Sequence, residues 1–282
     1  MRYSISASEF RALVLGLLGV RVRHMNTERF KGKSILITGG AGGLGSQIAR
    51  SVVAQGGNVG ILDTNESAIQ TLVSELISLG GRAAGARVDV RDANSVNTAV
   101  SELAKSLGSV DVLIAAAGGS LGTPRDLDDI SDEDFDLVLD VNVKGTFNCS
   151  RAVIPFMKKA GGGSIITFSS IGGRSASPVT GVPYATAKAA ILGLTRRLAK
   201  EVGEFNIRVN AIAPGLFLTD RLEGMFNEMS KSDQSEVINA IPLGRMPKLQ
   251  ECVDPVLFLA SDESSYITGT VLDVNGGRLM PN

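Results

Sequence analysis

From Lys33 onward, short apolar runs alternate with longer segments whose apolar positions recur every three or four residues. The runs 34–38, 58–62, 83–88, 110–114, 163–168, 206–211 and 271–274 are mostly aliphatic or β-branched and show little polar alternation. That is the pattern of parallel strands covered on both faces. Between them, residues 44–55, 65–79, 93–107, 132–159, 184–203 and 251–260 follow a helical period. Strands alternating with helices predict right-handed βαβ units and an α/β fold with one doubly wound, seven-stranded parallel sheet. No linker or shift of composition divides residues 33–282, so residues 32–282 are expected to form one domain.

The first strand-to-helix turn changes the picture. Ser34-Ile35-Leu36-Ile37 leads into Thr38-Gly39-Gly40-Ala41-Gly42-Gly43-Leu44-Gly45, and a helix is expected to leave from Leu44. A helix start offers unpartnered N–H groups and the positive end of the helix dipole, and glycines admit a phosphate where a Cβ would clash. The next strand, Asn58 to Leu62, ends in Asp63. An acid about 20 residues beyond the glycines can accept the ribose hydroxyls of an adenosine. The pattern predicts a dinucleotide site on a Rossmann-type sheet rather than a plain glycine turn beside a surface acid, and the carboxylate points to NAD rather than NADP.

Residues 1–31 stand apart and are read as an N-terminal extension. Either Met25 is the natural start, or Phe10 to Val22 forms an amphipathic helix packing on the domain, a partner or a membrane surface. A secretory signal is disfavoured by a lone Arg2 ahead of the apolar stretch. A net charge of −1 gives no sign of a nucleic-acid or polyanion partner, and a single histidine effectively excludes a zinc site or a His-based triad. Two distant cysteines, Cys149 and Cys252, fit a reducing cytoplasm. No apolar run is long enough to span a membrane. The acidic stretch Asp126 to Asp136 reads as a helix start with Ser131 as its cap, not as a metal site.

The reacting groups are sought farther on. Tyr184 and Lys188 are one helical turn apart in Tyr184-Ala185-Thr186-Ala187-Lys188, hence on one face. A phenol with a pKa of about 10 is a poor base at neutral pH, and a neighbouring ammonium favours its ionised form. The strand Ser164 to Phe168 ends at Ser169-Ser170, where ligands collect in open α/β sheets. A serine there can hold a carbonyl oxygen while the tyrosine exchanges a proton with it. Asn142, polar within an apolar helical stretch, is expected to hold a water that connects Lys188 to solvent.

With these motifs in order, residues 32–278 resemble the short-chain dehydrogenase/reductase family. Thr38, Gly39, Gly43 and Gly45 match its Thr-Gly-x-x-x-Gly-x-Gly fingerprint, which Leu44 completes, and Asn142, Ser170, Tyr184 and Lys188 fall on its active-site positions. The resemblance implies that Asp89-Val90 receives adenine and that Pro214-Gly215 with Thr219 holds the nicotinamide carboxamide and pyrophosphate. It also implies that Tyr184 and Lys188 touch the cofactor, and that the protein is a homotetramer. One departure stands out. Ala115-Ala116-Ala117-Gly118 replaces the family's usual Asn-Asn-Ala-Gly, which puts local rigidity in question while Gly118 keeps close backbone approach.

The resulting expectation is an NAD(H)-dependent oxidoreductase acting on a secondary alcohol or its ketone. Residues 216–247 are expected to cover the substrate, with Phe217, Leu222, Met225, Phe226 and Met229 as lining or lid core. A 3-oxoacyl-carrier-protein reductase is the alternative, although such reductases commonly use NADPH and the stretch Gly161 to Gly163, read as lying near the cleft, carries no charge for an acidic carrier. An alternative of another class is a non-catalytic NAD-binding regulator.

Overall fold

A computed structural model describes residues 28–176, 180–218, 223–224, 226–227 and 230–281 of the 282-residue chain. The strands are β1 (Ser34–Thr38), β2 (Asn58–Asp63), β3 (Ala83–Arg87), β4 (Val112–Ala115), β5 (Gly163–Phe168), β6 (Ile207–Pro214) and β7 (Val271–Val274). The helices are α1 (Gly43–Val53), α2 (Glu66–Ser78), α3 (Ala93–Leu107), α4 (Asp132–Leu139), α5 (Gly145–Ala160), α6 (Val182–Val202), α7 (Lys231–Asn239) and α8 (Gln250–Ala260). The strands pair in parallel as a seven-stranded sheet in the order β3-β2-β1-β4-β5-β6-β7. Strand order reverses between β1 and β4, where the connections diverge and leave a crevice at the carboxyl edge.

The two-sided burial read from the sequence has a direct counterpart. Ile35 and Ile37 join a core beneath α1, α2 and α8, while Leu36 joins the opposite core beneath α3, α5 and α6. Each strand therefore sends alternate side chains into different cores, and both sets must be apolar.

Three differences from the sequence expectation follow from local chemistry. The stretch 132–159 is not one helix: a π-helical turn at Asp140–Lys144 separates α4 from α5 and carries Asn142. A wide turn of this kind is common at functional positions. Helix α7 was not anticipated, because Lys-Ser-Asp-Gln-Ser-Glu-Val-Ile-Asn has no apolar stripe to announce it. The supposed extension ends earlier than residue 31. Phe30 is 1% exposed within the core, and its N–H donates to the Gln55 carbonyl at 2.9 Å. The acidic stretch behaves as read: Ser131 and Asp134 form a reciprocal cap at the start of α4.

Candidate active site

The glycine turn after β1 is shaped by its own backbone. Gly39 has φ +63°, and a Cβ there would lie 2.9 Å from the Cα of Ala117. A Cβ on Gly45 would fall 2.2 Å from the Gly39 carbonyl oxygen, so the first turn of α1 lies directly on the loop. Gly42 caps α1 with no side-chain hydrogen bond, and no acid occupies the first turn. The N–H groups of Gly43, Leu44 and Gly45 thus form an anion cradle that the protein's own side chains leave uncapped. Thr38 is buried, and its Oγ1 accepts the Ala117 N–H at 3.1 Å, tying β1 to the chain beyond β4.

Asp63 ends β2 beside this cradle. Its Oδ2 accepts the Ala41 N–H at 3.1 Å and its Oδ1 accepts the Asn65 N–H at 3.1 Å. Each oxygen keeps a lone pair for a further donor. Asp89 makes a close ion pair with Arg91 at 2.6 Å, which holds its carboxyl below the usual range. Val90 is buried against Gly145, and its carbonyl accepts the Asn148 side-chain N–H at 2.9 Å. On the other side, Pro214 ends β6 and the Gly215 N–H donates to the Val274 carbonyl at 2.8 Å. Thr219 lies outside the described residues.

The reacting cluster sits at the carboxyl ends of β4 and β5. Helix α6 begins with Val182 and Pro183, a favoured proline position, so Tyr184 is held in the first turn and Lys188 one turn later. Ser170 caps the short 3₁₀ turn Ile171–Gly173, and its Oγ accepts the Gly172 N–H at 3.1 Å. Burial pushes the Tyr184 phenol up, and a hydrogen bond with Ser170 pulls it down. Lys188 is 6% exposed; its Nζ donates to the Phe168 carbonyl at 2.9 Å and lies 5.5 Å from the Tyr184 ring centre. Burial pushes the Lys188 ammonium down to about 8. The tyrosine is thus tuned here by burial and Ser170, whereas the sequence reading relied on the ammonium.

The Asn142 amide is bonded within the chain. Its amide hydrogens go to the Gly119 carbonyl at 2.9 Å and the Val138 carbonyl at 2.8 Å, while its Oδ1 accepts the Gly119 N–H at 3.0 Å. It clamps the loop after β4. A Cβ on Gly118, whose φ is +145°, would sit 2.3 Å from that Oδ1 and 3.5 Å from Lys188 Nζ. Sequence reasoning also missed Ser169, whose Oγ donates to the Lys188 carbonyl at 2.7 Å, and Gly173, where a Cβ would sit 2.5 Å from the Lys188 carbonyl carbon. The adjacent Ser-Ser and Gly-Gly pairs were the only signals. Gly161 to Gly163 open β5 at the end opposite Ser169-Ser170, so their lack of charge says nothing about the cleft.

A family model described as enoyl-(acyl carrier protein) reductase matches residues 39–278. The chain is a short-chain dehydrogenase/reductase. Among curated relatives of this dehydrogenase/reductase, oxidoreductase UcpA of Salmonella typhimurium is 39% identical over 258 residues, covering 90% of this chain and 97% of that one. The 3-oxoacyl-[acyl-carrier-protein] reductase FabG of Thermotoga maritima is 37% identical over 254 residues, 89% of this chain and 100% of that one. A solved 3-oxoacyl-[acyl-carrier protein] reductase with bound NAD from Brucella melitensis superposes with a TM-score of 0.81 at 32% identity, covering 100% of this chain and 98% of that one. Among the described residues no helix is long and apolar enough to cross a membrane.

Proposed function

We propose that this dehydrogenase/reductase moves a hydride between NAD(H) and a secondary alcohol or its ketone. The carrying observation is the Ser170–Tyr184–Lys188 cluster at the sheet's carboxyl edge, on the same edge as an uncapped glycine cradle and Asp63. The residues fit a dinucleotide: the N–H groups of Gly43 to Gly45 face the pyrophosphate, Asp63 the adenosine ribose, Val90 the adenine, and Gly215 the nicotinamide side. The NAD bound to the Brucella relative supports the same choice. Bound nicotinamide supplies the hydride acceptor or donor.

The chain's residues handle the proton. Tyr184 gives its proton to the carbonyl oxygen, or takes it from the alcohol, while Ser170 hydrogen-bonds that oxygen. Lys188 supplies a nearby charge and binds the nicotinamide ribose. Asn142 holds Gly118 and Gly119 against Lys188, a positioning role. A cytoplasmic homotetramer belongs to the same reading.

The FabG relatives favour one competitor, a reductase of acyl-carrier thioesters. Secondary alcohols and ketones, 3-oxoacyl thioesters, NAD(H) and NADP(H) are assayed together for change in reduced-nicotinamide absorbance. Turnover of simple alcohols with NAD is the expected result. Turnover confined to acyl thioesters with NADPH would install the competitor, and tight NADH binding without turnover of any substrate would make the chain a regulator.

A further inference from the structure

Three segments meet around the carboxyl ends of β6 and β7. The Gly215 N–H, just past β6, donates to the Val274 carbonyl at 2.8 Å, and the Leu243 N–H donates to the Gly276 carbonyl at 3.2 Å. Gly276 has φ +64°, and a Cβ there would lie 2.6 Å from Ile241 Cγ2, so the turn after β7 presses against residues 241–243. The Asn275 side chain locks that turn: its Oδ1 accepts the Gly277 N–H at 3.0 Å and its Nδ2 donates to the Leu279 carbonyl at 3.0 Å. Arg278 is thereby held on a fixed turn, its backbone N–H bonded to the Asn275 carbonyl at 3.2 Å.

Between these segments lies a cavity of about 250 Å³. Leu216, Phe217 and Ile241 are its buried or half-buried apolar walls, and Leu243, 68% exposed, is the outermost of them. Of the residues assigned above to cofactor or proton transfer, only Gly215 borders it; Ser170, Tyr184, Lys188 and the glycine cradle do not. Its charged lining consists of Arg245, Glu251, Asp273 and Arg278, and the first three are matched. Glu251 accepts two hydrogen bonds from Arg245, at 2.6 and 2.7 Å, and Asp273 pairs at 2.6 Å with Arg174, which lies outside the cavity. The half-buried Arg278 makes no side-chain hydrogen bond or ion pair with any described residue. One positive charge is thus left over among apolar walls and closed ion pairs.

We propose that this cavity is a second ligand site, for a small amphipathic monocarboxylate whose carboxylate meets Arg278 and whose apolar body lies against Leu216, Phe217 and Ile241. A guanidinium fork matches a carboxylate with two parallel N–H···O bonds, and partial burial strengthens the pairing. A phosphate dianion brings a second charge that has no partner here and faces Glu251 and Asp273. A neutral alcohol leaves the arginine charge unmatched, and an ammonium meets a like charge. The walls are tied together before any ligand arrives, which lowers the cost of ordering them on binding. The site stands apart from the dehydrogenase reading and does not rest on it.

The test is calorimetric titration of the full-length protein with three probes of one chain length: hexanoate, 1-hexanol and hexylamine. Hexanoate should bind roughly 10- to 100-fold more tightly than 1-hexanol, the worth of a hydrogen bond to a charged group, and hexylamine should bind weakest. Arg278→Met should bring hexanoate down to the level of 1-hexanol, and Arg278→Lys should keep part of the preference. Arg278→Glu should reverse it in favour of hexylamine. Ile241→Trp fills the cavity and should abolish hexanoate binding, with circular dichroism reporting whether that variant folds; if it does not, the Arg278 series alone decides. A wild type that binds hexanoate no better than 1-hexanol or hexylamine would overturn the site. So would a preference that survives Arg278→Met, or hexanoate binding untouched in a folded Ile241→Trp protein. Every readout is binding rather than turnover, so any of these results leaves the dehydrogenase reading standing.

Discussion

Replacing Gly118 by alanine tests the joint between the cofactor loop and the reacting lysine. Gly118 has φ +145°, where an L side chain is strained, and its added Cβ would lie 2.3 Å from Asn142 Oδ1 and 3.0 Å from Asn142 Cγ. Asn142 is 1% exposed and has no free space in which to turn without giving up its bonds to Gly119. Gly119 is a natural control: its φ is +141°, yet the nearest atom to an added Cβ is Leu121 N at 3.9 Å. Gly119→Ala should thus cost only backbone strain, about 1–3 kcal/mol. Gly118→Ala should cost that strain plus about 1–3 kcal/mol for broken buried hydrogen bonds. Urea unfolding followed by circular dichroism gives both numbers. Gly118→Ala should also lower turnover more than Gly119→Ala does, because Lys188 Nζ lies 3.5 Å from the added methyl. Equal stability losses in the two variants would refute the argument that Asn142 clamps this loop.

Two further outcomes follow from the site. Asp63→Ser should weaken NAD and improve NADP, since a 2′-phosphate beside this carboxylate costs about 2–4 kcal/mol, or roughly 30- to 1,000-fold in preference; an unchanged ratio of kcat/KM between the cofactors would remove Asp63 from ribose recognition. Lys188, pushed from 10.5 down to about 8 by burial, binds fewer protons folded than unfolded between those values. Stability should therefore rise with pH across that window, by about 3 kcal/mol at most, and the rise should vanish in Lys188→Met; parallel pH profiles for the two proteins would contradict it.

The sheet was legible because its signal is redundant. Ile35, Leu36 and Ile37 must be apolar to serve two cores, and the glycine turn, Asp63 and the Tyr184–Lys188 spacing each depend on local backbone periodicity. What escaped the sequence depends on pairs of residues distant in the chain. Nothing near Arg174 announces Asp273, which is 99 residues away. Nothing near Asn142 announces that its amide is spent on Gly119, 23 residues earlier. The triple alanine at the end of β4 became interpretable only with that clamp in view: Thr38 holds Ala117 and Asn142 holds Gly119, so side-chain ties reach the loop from both neighbours. Helix α7 was hidden for the opposite reason, since a polar helix leaves no apolar period to read.

The proposed chemistry turns on one hydroxyl. Tyr184→Phe keeps the ring beside Lys188 and removes only the group that exchanges a proton with the substrate oxygen. Oxidation of a secondary alcohol by wild type and variant, measured as NADH formation at saturating NAD with cofactor affinity measured alongside, isolates that step. Turnover should fall by roughly 100-fold or more while cofactor affinity stays unchanged. A Tyr184→Phe enzyme that turns over alcohol at nearly the wild-type rate would contradict the proton-transfer role on which the proposed mechanism rests.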